Sequence, residues 1–120
     1  MHEMGIANSI LEGVQAEAGR HPGAQLQKVG VRIGEIVAVD PDALRFCFEA
    51  LTLETNLESL ELAIEICRRK QRCTGCSAEF TVNDFEFQCP RCGGEQTQCI
   101  SGDELDLDYL EMEEYEPSST

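Results

Sequence analysis

The sequence has few basic side chains and no long apolar segment. Nine Lys and Arg residues stand against 23 Asp and Glu residues among 120, which gives a formal charge of −14 at pH 7. Phosphate binding needs a positive surface, so this charge argues against a nucleic-acid-binding protein and against a polybasic membrane anchor. No apolar run approaches the roughly 20 residues that span a bilayer. The opening residues also lack a basic segment followed by an apolar stretch, so we expect no secretory signal.

Cysteine, by contrast, is abundant. The chain has seven cysteines, an odd number, and without a signal peptide we expect a cytoplasmic location. In the reducing cytosol, thiols bind metals or carry out redox chemistry more often than they form disulfides. The composition therefore predicts a small, acidic, cytoplasmic protein whose cysteines serve one of these two purposes.

Two segments show apolar residues at every third or fourth position, which predicts two amphipathic helices. Asp40 and Pro41 suit the start of the second helix, because Asp40 can cap free backbone N–H groups and proline needs no donor there. The apolar positions are Met4, Ala7, Leu11, Val14 and Ala18 in the first helix and Leu44, Cys47, Phe48 and Leu51 in the second.

Three other segments alternate between apolar and polar residues, which predicts strands at 28–33, 60–67 and 104–109. Cys67 falls on the polar phase of the second strand. The fold predicted from these elements is α+β, with a three-stranded sheet covered by two helices. We expect the main domain to comprise residues 1–70 and 100–116, a cysteine-rich module to occupy residues 71–99 before the last strand, and residues 117–120 to form a frayed tail.

Four of the cysteines form two C-x-x-C pairs, Cys73 with Cys76 and Cys89 with Cys92. Two such turns can bring four thiolates to the corners of a tetrahedron. A module of this size has too few apolar residues for a core, and a bound metal usually replaces one. The spacing therefore predicts a structural Zn(II) site in a zinc-ribbon-like module, and such a closed site leaves no position for a substrate.

Two other interpretations of the same pairs are an iron site of the rubredoxin type and a dithiol redox centre. The redox centre is disfavoured because no βαβ unit surrounds the pairs, whereas spacing alone leaves iron open. Among the remaining cysteines, we expect Cys47 to be a small buried residue and Cys67 and Cys99 to be exposed thiols, with Cys99 a weak candidate for an extra ligand. The basic run 68–72 is interpreted as a solvated hinge.

His2 lies beside the amino terminus. The simpler interpretation is a solvated terminal histidine. In the alternative, the Met1 amine, the His2 amide nitrogen and the His2 imidazole chelate one metal ion, with Glu3 adjacent. Nitrogen ligands of this kind suit Ni²⁺ or Cu²⁺ far better than Mg²⁺ or Ca²⁺.

Several short motifs, in order along nearly the whole chain, resemble the hydrogenase-maturation nickel chaperone family (HypA/HybF). Each motif is weak by itself, but the ordered set is specific. The motifs are Met1-His2-Glu3-Met4, Gly34-Glu35, Asp40-Pro41-x-x-Leu44-x-Phe46-x-Phe48, the two cysteine pairs and Gly102-x-Glu104-Leu105.

The resemblance implies that residues 1–70 and 100–116 form a nickel-binding domain. His2 would be the side-chain ligand of Ni(II), with the Met1 amine and the backbone nitrogens of His2 and Glu3 as companions and the Glu3 and Asp40 carboxylates nearby. The resemblance also assigns the four paired cysteines to zinc.

The family implies a non-enzymatic function with two protein partners. Nickel would be cargo, passed to the [NiFe]-hydrogenase large-subunit precursor with the help of a nickel-binding GTPase, and urease is a further target in some members. We expect a monomer or homodimer without nucleic-acid or membrane partners. The competing function is a zinc-ribbon adaptor or nucleic-acid-binding module that delivers no nickel.

Overall fold

The computed structural model of the chain describes residues 2–113. Met1 and residues 114–120, which include the predicted frayed tail, lie outside the described residues. No helix in the described part is both long and apolar enough to cross a membrane. The elements are α1 (Glu3–Arg20), β1 (Gln25–Gly34), a 3-10 turn (Glu35–Val37), α2 (Pro41–Thr52), β2 (Glu61–Cys67), β3 (Lys70–Cys73), β4 (Glu79–Thr81), β5 (Thr97–Ser101) and β6 (Leu105–Glu113).

The strands form two three-stranded sheets, with the orders β2-β1-β6 and β4-β3-β5. Residues 2–31, 39–65 and 106–113 belong to one compact unit, which contains both helices. Residues 32–38 and 66–105 belong to a second unit, which contains the paired cysteines. The predicted α+β class is confirmed, and the cysteine-rich segment has a sheet of its own. The domain boundaries drawn from the sequence stay a prediction.

The buried face of α1 differs in part from the predicted stripe. Ile6 and Ile10, which the prediction left out, are buried together with Ala7 and Val14, whereas Met4 is 48% exposed. Both possible stripes share Ala7 and Val14, so the helical period alone does not choose between them. α1 packs against α2, and tertiary packing rather than the helical period decides which stripe is buried.

β1 and the start of α2 follow the sequence pattern. The Asp40 carboxylate accepts hydrogen bonds from the backbone N–H groups of Asp42 at 3.0 Å and Ala43 at 3.3 Å. The predicted helix cap is therefore confirmed. The alternating apolar side chains of β1 are almost completely buried, as predicted: Val29, Val31 and Ile33.

The end of β2 departs from the predicted alternation. Leu62 is buried as expected, but Ile66 is 42% exposed and Cys67 is buried. The prediction of an exposed Cys67 is therefore wrong. Ile66 and Cys67 belong to the second unit, so a different core determines which of their side chains is buried.

The basic run 68–72 is not a hinge, because most of it lies in the central strand of the second sheet. β3 pairs antiparallel with both β4 and β5. Gln71 and Cys73 point inward and are buried, while the basic residues that alternate with them are exposed. The buried Gln71 amide donates to Thr97 Oγ1 at 3.0 Å, which satisfies a polar group inside the unit.

Candidate metal centre

The two C-x-x-C pairs lie on turns with the same backbone hydrogen bonds. In the first turn, the N–H of Cys73 donates to the carbonyl five residues later, and the N–H of Ser77 donates to Cys73 O, both at 2.9 Å. In the second turn, the N–H of Cys89 likewise donates to the carbonyl five residues later, and the N–H of Gly93 donates to Cys89 O, both at 2.8 Å. The matching pattern presents the two cysteine pairs in the same way.

The fifth residue of each turn has a left-handed backbone. Its φ is +64° at Ser77 and +75° at Gly93. Glycine adopts this conformation at little cost, whereas a residue with a β-carbon does not. A β-carbon on Gly94 would come within 3.2 Å of Cys92 Sγ and 3.3 Å of Cys73 Sγ, so the second turn also uses a glycine to pass close to the sulfurs.

The four sulfur atoms of these turns form a compact cluster. All four lie within 4.8 Å of one another. The Sγ atoms are 3.5 Å apart in Cys73 and Cys92 and 3.6 Å apart in Cys76 and Cys89. Four sulfurs placed about 2.3 Å from a tetrahedral Zn²⁺ are separated by roughly 3.8 Å. The cluster therefore has the size of a four-thiolate zinc site.

Burial differs within the cluster. Cys73 and Cys89 are only 1% and 2% exposed, Cys76 is half-buried and Cys92 is exposed. The first cysteine of each pair thus points into the unit, and the second lies nearer to the surface. This placement allows an ion to be held at the edge of a very small core.

Four thiolates this close repel one another. A hydrogen bond from the Cys76 backbone N–H is the main cause that lowers the pKa of Cys73 to about 7, and one from the Cys92 N–H lowers the pKa of Cys89. At Cys92, the hydrogen bond from the Gly94 N–H is outweighed by the other sulfurs of the cluster, which raise the pKa to about 12. A divalent cation stabilises all four thiolates together, so the cluster is built for a cation.

The other three cysteines lie outside this cluster. Cys99 is exposed and its thiol donates to Ser101 O at 3.3 Å, which agrees with the predicted exposed thiol. Cys47 is only half-buried, and Cys67 is buried. Within residues 2–113, the four paired cysteines form the one group of three or more metal-ligating side chains.

The predicted N-terminal site residues behave differently from one another. His2 occupies the position before α1, is exposed and does not cap the helix with its side chain. Glu3 is buried, with 8% of its surface exposed, and its Oε2 accepts a hydrogen bond from the Asp40 N–H at 3.2 Å. The structure therefore brings Glu3 and Asp40 together and leaves His2 on the surface, while Met1 lies outside the described residues.

Comparison with known proteins decides the family. A family model described as "Hydrogenase/urease nickel incorporation, metallochaperone, hypA" matches residues 1–112. The chain belongs to the HypA family. Proteins named hydrogenase maturation factor HypA from Geotalea uraniireducens (strain Rf4) and Geobacter metallireducens are each 41% identical over 113 residues, which is 94% of this chain and 100% of each relative.

Solved HypA structures share the fold. The solution structure of the Ni metallochaperone HypA from Helicobacter pylori aligns with a TM-score of 0.67 and 26% identity, over 96% of this chain and 100% of that one. A second HypA solution structure gives a TM-score of 0.71 and 26% identity, over 93% of this chain and 96% of that one.

The family resemblance drawn from the motifs is thus confirmed. The chain is a member of a nickel metallochaperone family for hydrogenase maturation, and it carries a four-cysteine metal-binding cluster. Proteins of this kind are maturation factors, not catalytic enzymes.

Ser77 shapes the cluster but is not among the residues predicted from the sequence. Serine gives no sign of a left-handed backbone, so residue type alone could not reveal it. A comparison of the two cysteine turns would have done so, because Gly93 occupies the matching position four residues after its cysteine.

Proposed function

We propose that this HypA protein binds Ni(II) with its N-terminal residues Met1, His2 and Glu3 and delivers it during maturation of a [NiFe]-hydrogenase. The observation that carries the proposal is the contrast between two adjacent residues. His2 is exposed, whereas Glu3 is buried and hydrogen-bonded to the Asp40 backbone. The ligand side chain is therefore accessible, and the residue after it is fixed.

The chemistry of these ligands suits transfer of an ion. The imidazole of His2, the terminal amine and backbone amide nitrogens favour Ni²⁺ over hard cations. Amide nitrogens lose a proton when they bind and regain it on release, so a partner's ligands can replace them one at a time. An exposed site permits that approach, whereas a closed cage does not.

Glu3 and Asp40 support the proposed site electrostatically. The hydrogen bond from the Asp40 N–H to the Glu3 carboxylate joins the first turn of α1 to the residue that caps α2. Helix N-termini carry partial positive charge, which disfavours a bound cation. The two carboxylates offset that charge, so we assign them to the surroundings of the nickel ion and not to its obligatory ligands.

We assign a structural Zn(II) ion to Cys73, Cys76, Cys89 and Cys92. The sulfur spacing supports a tetrahedral site. Four protein ligands leave no open position, so this ion maintains the fold of the second unit and is not the cargo.

The proposed partners follow from the delivery function. They are a nickel-binding maturation GTPase and the hydrogenase large-subunit precursor, in the cytoplasm, with urease as a further target. The protein works as a monomer or homodimer and binds neither nucleic acid nor membranes.

Nickel titration of zinc-loaded protein tests this function. We expect one Ni(II) site per chain with a Kd of about 1 μM or tighter. His2→Ala should abolish it, and a few extra residues before Met1 should weaken it strongly, because they remove the terminal amine. His21→Ala, which alters the other histidine of the chain, is the matched control and should bind like the wild type.

Zinc content should be unchanged in all of these proteins. If the native, extended and His2→Ala proteins bind nickel alike, the N-terminal site is wrong. If none binds nickel while zinc is stoichiometric, the protein is a zinc adaptor.

A further inference from the structure

A tight turn in the second unit exposes Phe85 in an unfavourable backbone conformation. The turn is closed by a hydrogen bond from the Glu86 N–H to Asn83 O at 3.0 Å. Its two central residues are both left-handed, with φ of +52° at Asp84 and +62° at Phe85. Turns of this kind normally use glycine, asparagine or aspartate at these positions, so Asp84 is an ordinary residue there and Phe85 is the exception.

Phe85 is also 87% exposed. A large aromatic side chain gains nothing from water, and a left-handed backbone disfavours it further. The stability of the folded unit therefore does not explain why a phenylalanine occupies position 85. A strained and exposed residue of this type points to a binding function.

Phe85 borders a cavity of about 290 Å³ within the second unit. Ile36, Val82 and Phe87 supply the rest of its apolar lining. Small-molecule sites enclose roughly 300–1,000 Å³. A cavity at the lower limit of that range suits one large apolar side chain better than a cofactor.

Two of the charged residues that line this cavity already make contacts within the second unit. The Arg69 guanidinium carbon lies 4.4 Å from the centroid of the Phe87 ring, a favourable cation–π distance. The Glu35 carboxylate accepts the Arg69 backbone N–H at 2.6 Å. These contacts hold the lining in place and leave Arg68 and Asp84 as the charges that face a ligand.

The Arg68 guanidinium has N–H donors available for a ligand. Within residues 2–113, the Arg68 side chain makes two hydrogen bonds, both from Nη2, to Asn83 Oδ1 at 2.6 Å and Val82 O at 3.4 Å. A guanidinium has five N–H donors, and a carboxylate is its best bidentate partner. Both acceptors in the structure are neutral oxygens, so the charge of Arg68 is not neutralised by them.

We propose that Phe85 and Arg68 form a docking site for an acidic segment of a partner protein. An apolar side chain of that segment enters the cavity beside Phe85, and a neighbouring carboxylate pairs with Arg68. Arg68 and Arg69, two of the four basic residues in the run 68–72, line this cavity, whereas Arg72 is already paired with Glu79. A carboxylate of the segment therefore meets the positive charge of Arg68 in a chain whose formal charge is −14.

The residue types agree with this assignment. Aromatic residues and arginine dominate the energetically important centres of protein interfaces. Asp84, at the tip of the same turn, repels a ligand with many charges, such as a phosphate polymer, more than it repels one carboxylate held at Arg68. The proposal does not depend on nickel binding.

The test uses the zinc-loaded full chain and a fluorescein-labelled peptide, Asp-Glu-Leu-Phe-Asp-Glu. We expect anisotropy titration to give a Kd below about 1 mM. Phe85→Ser and Arg68→Gln should each weaken binding about tenfold. Phe46→Ser is the matched control, because Phe46 is a phenylalanine on α2 that is 72% exposed, and it should bind the peptide like the wild type.

Phe85→Gly separates binding from folding. Glycine fits the left-handed backbone, so this variant should unfold at a higher temperature than the wild type and still bind the peptide about tenfold more weakly. Nickel titration of Phe85→Ser should match the wild type, so failure of the docking site is distinguishable from failure of the nickel site.

Several outcomes would overturn the proposal. The first is a Kd above 1 mM for the acidic peptide. The second is binding of Lys-Lys-Leu-Phe-Lys-Lys or Asp-Glu-Ser-Ser-Asp-Glu with the same affinity as the acidic peptide. The third is a loss of affinity in Phe46→Ser equal to that in Phe85→Ser. Tighter binding of a short single-stranded oligothymidylate at Phe85 would identify a nucleic-acid site instead. Self-association that Phe85→Ser abolishes, without peptide binding, would identify a second copy of the chain as the occupant.

Discussion

The backbone of Gly34 lies directly against the backbone of Gly102. A β-carbon on Gly34 would overlap the carbonyl group of Gly102. The Ile36 N–H donates to that same carbonyl at 2.9 Å, and the Gly34 N–H donates to Glu104 O at 2.8 Å. The segment that leads out of β1 is thus held by backbone contacts within the second unit, and only glycine permits them.

Gly34→Ala should destabilise the second unit by about 3 kcal/mol, because backbone atoms cannot move aside as a flexible side chain can. Thermal unfolding of the zinc-loaded protein measures the effect. Gly19→Ala is the matched control, since a β-carbon at Gly19 meets no atom within 4 Å, and it should cause no loss. Equal stability of the two variants would mean that the contact between Gly34 and Gly102 does not constrain the fold.

Glu104 gives the second unit a pH-dependent stability. Its carboxylate accepts hydrogen bonds from the Ser101 hydroxyl at 2.8 Å and the Gly102 N–H at 2.7 Å. These bonds, with a smaller contribution from the charge of Arg32, hold the pKa of Glu104 below its ordinary value of 4.5. The stabilisation is therefore present above about pH 4.5 and is lost as the pH falls below that value, through the pKa of the folded state.

Glu104→Gln should lower the free energy of unfolding at pH 7 by about 1–2 kcal/mol, because two charge-assisted hydrogen bonds are weakened. The difference from wild type should shrink below pH 4.5, where the wild-type carboxyl also becomes neutral. Denaturant unfolding at a series of pH values measures both effects. Glu95→Gln, at an exposed carboxylate of the same unit, should follow the wild type, and a constant difference at every pH would disprove the role of ionisation.

Features set by neighbouring residues could be predicted from the sequence. The cap at Asp40, the alternation of β1 and the two cysteine turns each depend on a few consecutive residues. The cysteine spacing also predicted that the four thiols lie close together, because a C-x-x-C turn has little conformational freedom. In such cases the local chemistry and the tertiary structure require the same arrangement.

Features that depend on distant packing could not be predicted. The buried face of α1 includes Ile6 and Ile10, and tertiary packing, to which the contact between α1 and α2 belongs, selects that face. The strand β3 was not predicted, because its buried positions are Gln71 and Cys73. Glutamine is polar, so the segment shows no alternation of apolar and polar residues. The exposed Phe85 likewise breaks the usual relation between residue type and burial, as residues with a function often do.

Asp40 has two roles that substitution can separate. Its side chain caps α2, and its charge belongs to the proposed surroundings of nickel. Asp40→Ala should cost about 1 kcal/mol of stability through loss of the cap, whereas Asp40→Asn should cost almost nothing, because asparagine caps as well as aspartate. Thermal unfolding tests this difference.

Nickel titration of the same two proteins then tests the charge. We expect Asp40→Asn to weaken nickel binding moderately, by about threefold to tenfold, since it removes a carboxylate that offsets the helix N-termini. Equal nickel affinity in Asp40→Asn and wild type would restrict Asp40 to its capping role. Equal destabilisation by Asn and Ala would instead contradict the cap.

The two cysteine turns supply an internal comparison of backbone strain. Ser77 and Gly93 occupy matching positions, with φ of +64° and +75°. A β-carbon on Gly93 would meet only the Gln88 side chain, at an ordinary 3.7 Å. The cost of a side chain at either position is therefore conformational, about 1–2 kcal/mol.

Ser77→Gly should strengthen zinc binding and Gly93→Ala should weaken it, each by roughly 5- to 30-fold, since about 1.4 kcal/mol corresponds to a factor of ten. Competition with a chelator of known affinity measures both changes. The double variant Ser77→Gly/Gly93→Ala moves the glycine from one turn to the other and should return to near the wild-type affinity. If both single variants bind zinc like the wild type, the left-handed residues do not govern the cluster, and the ion alone determines the shape of the two turns.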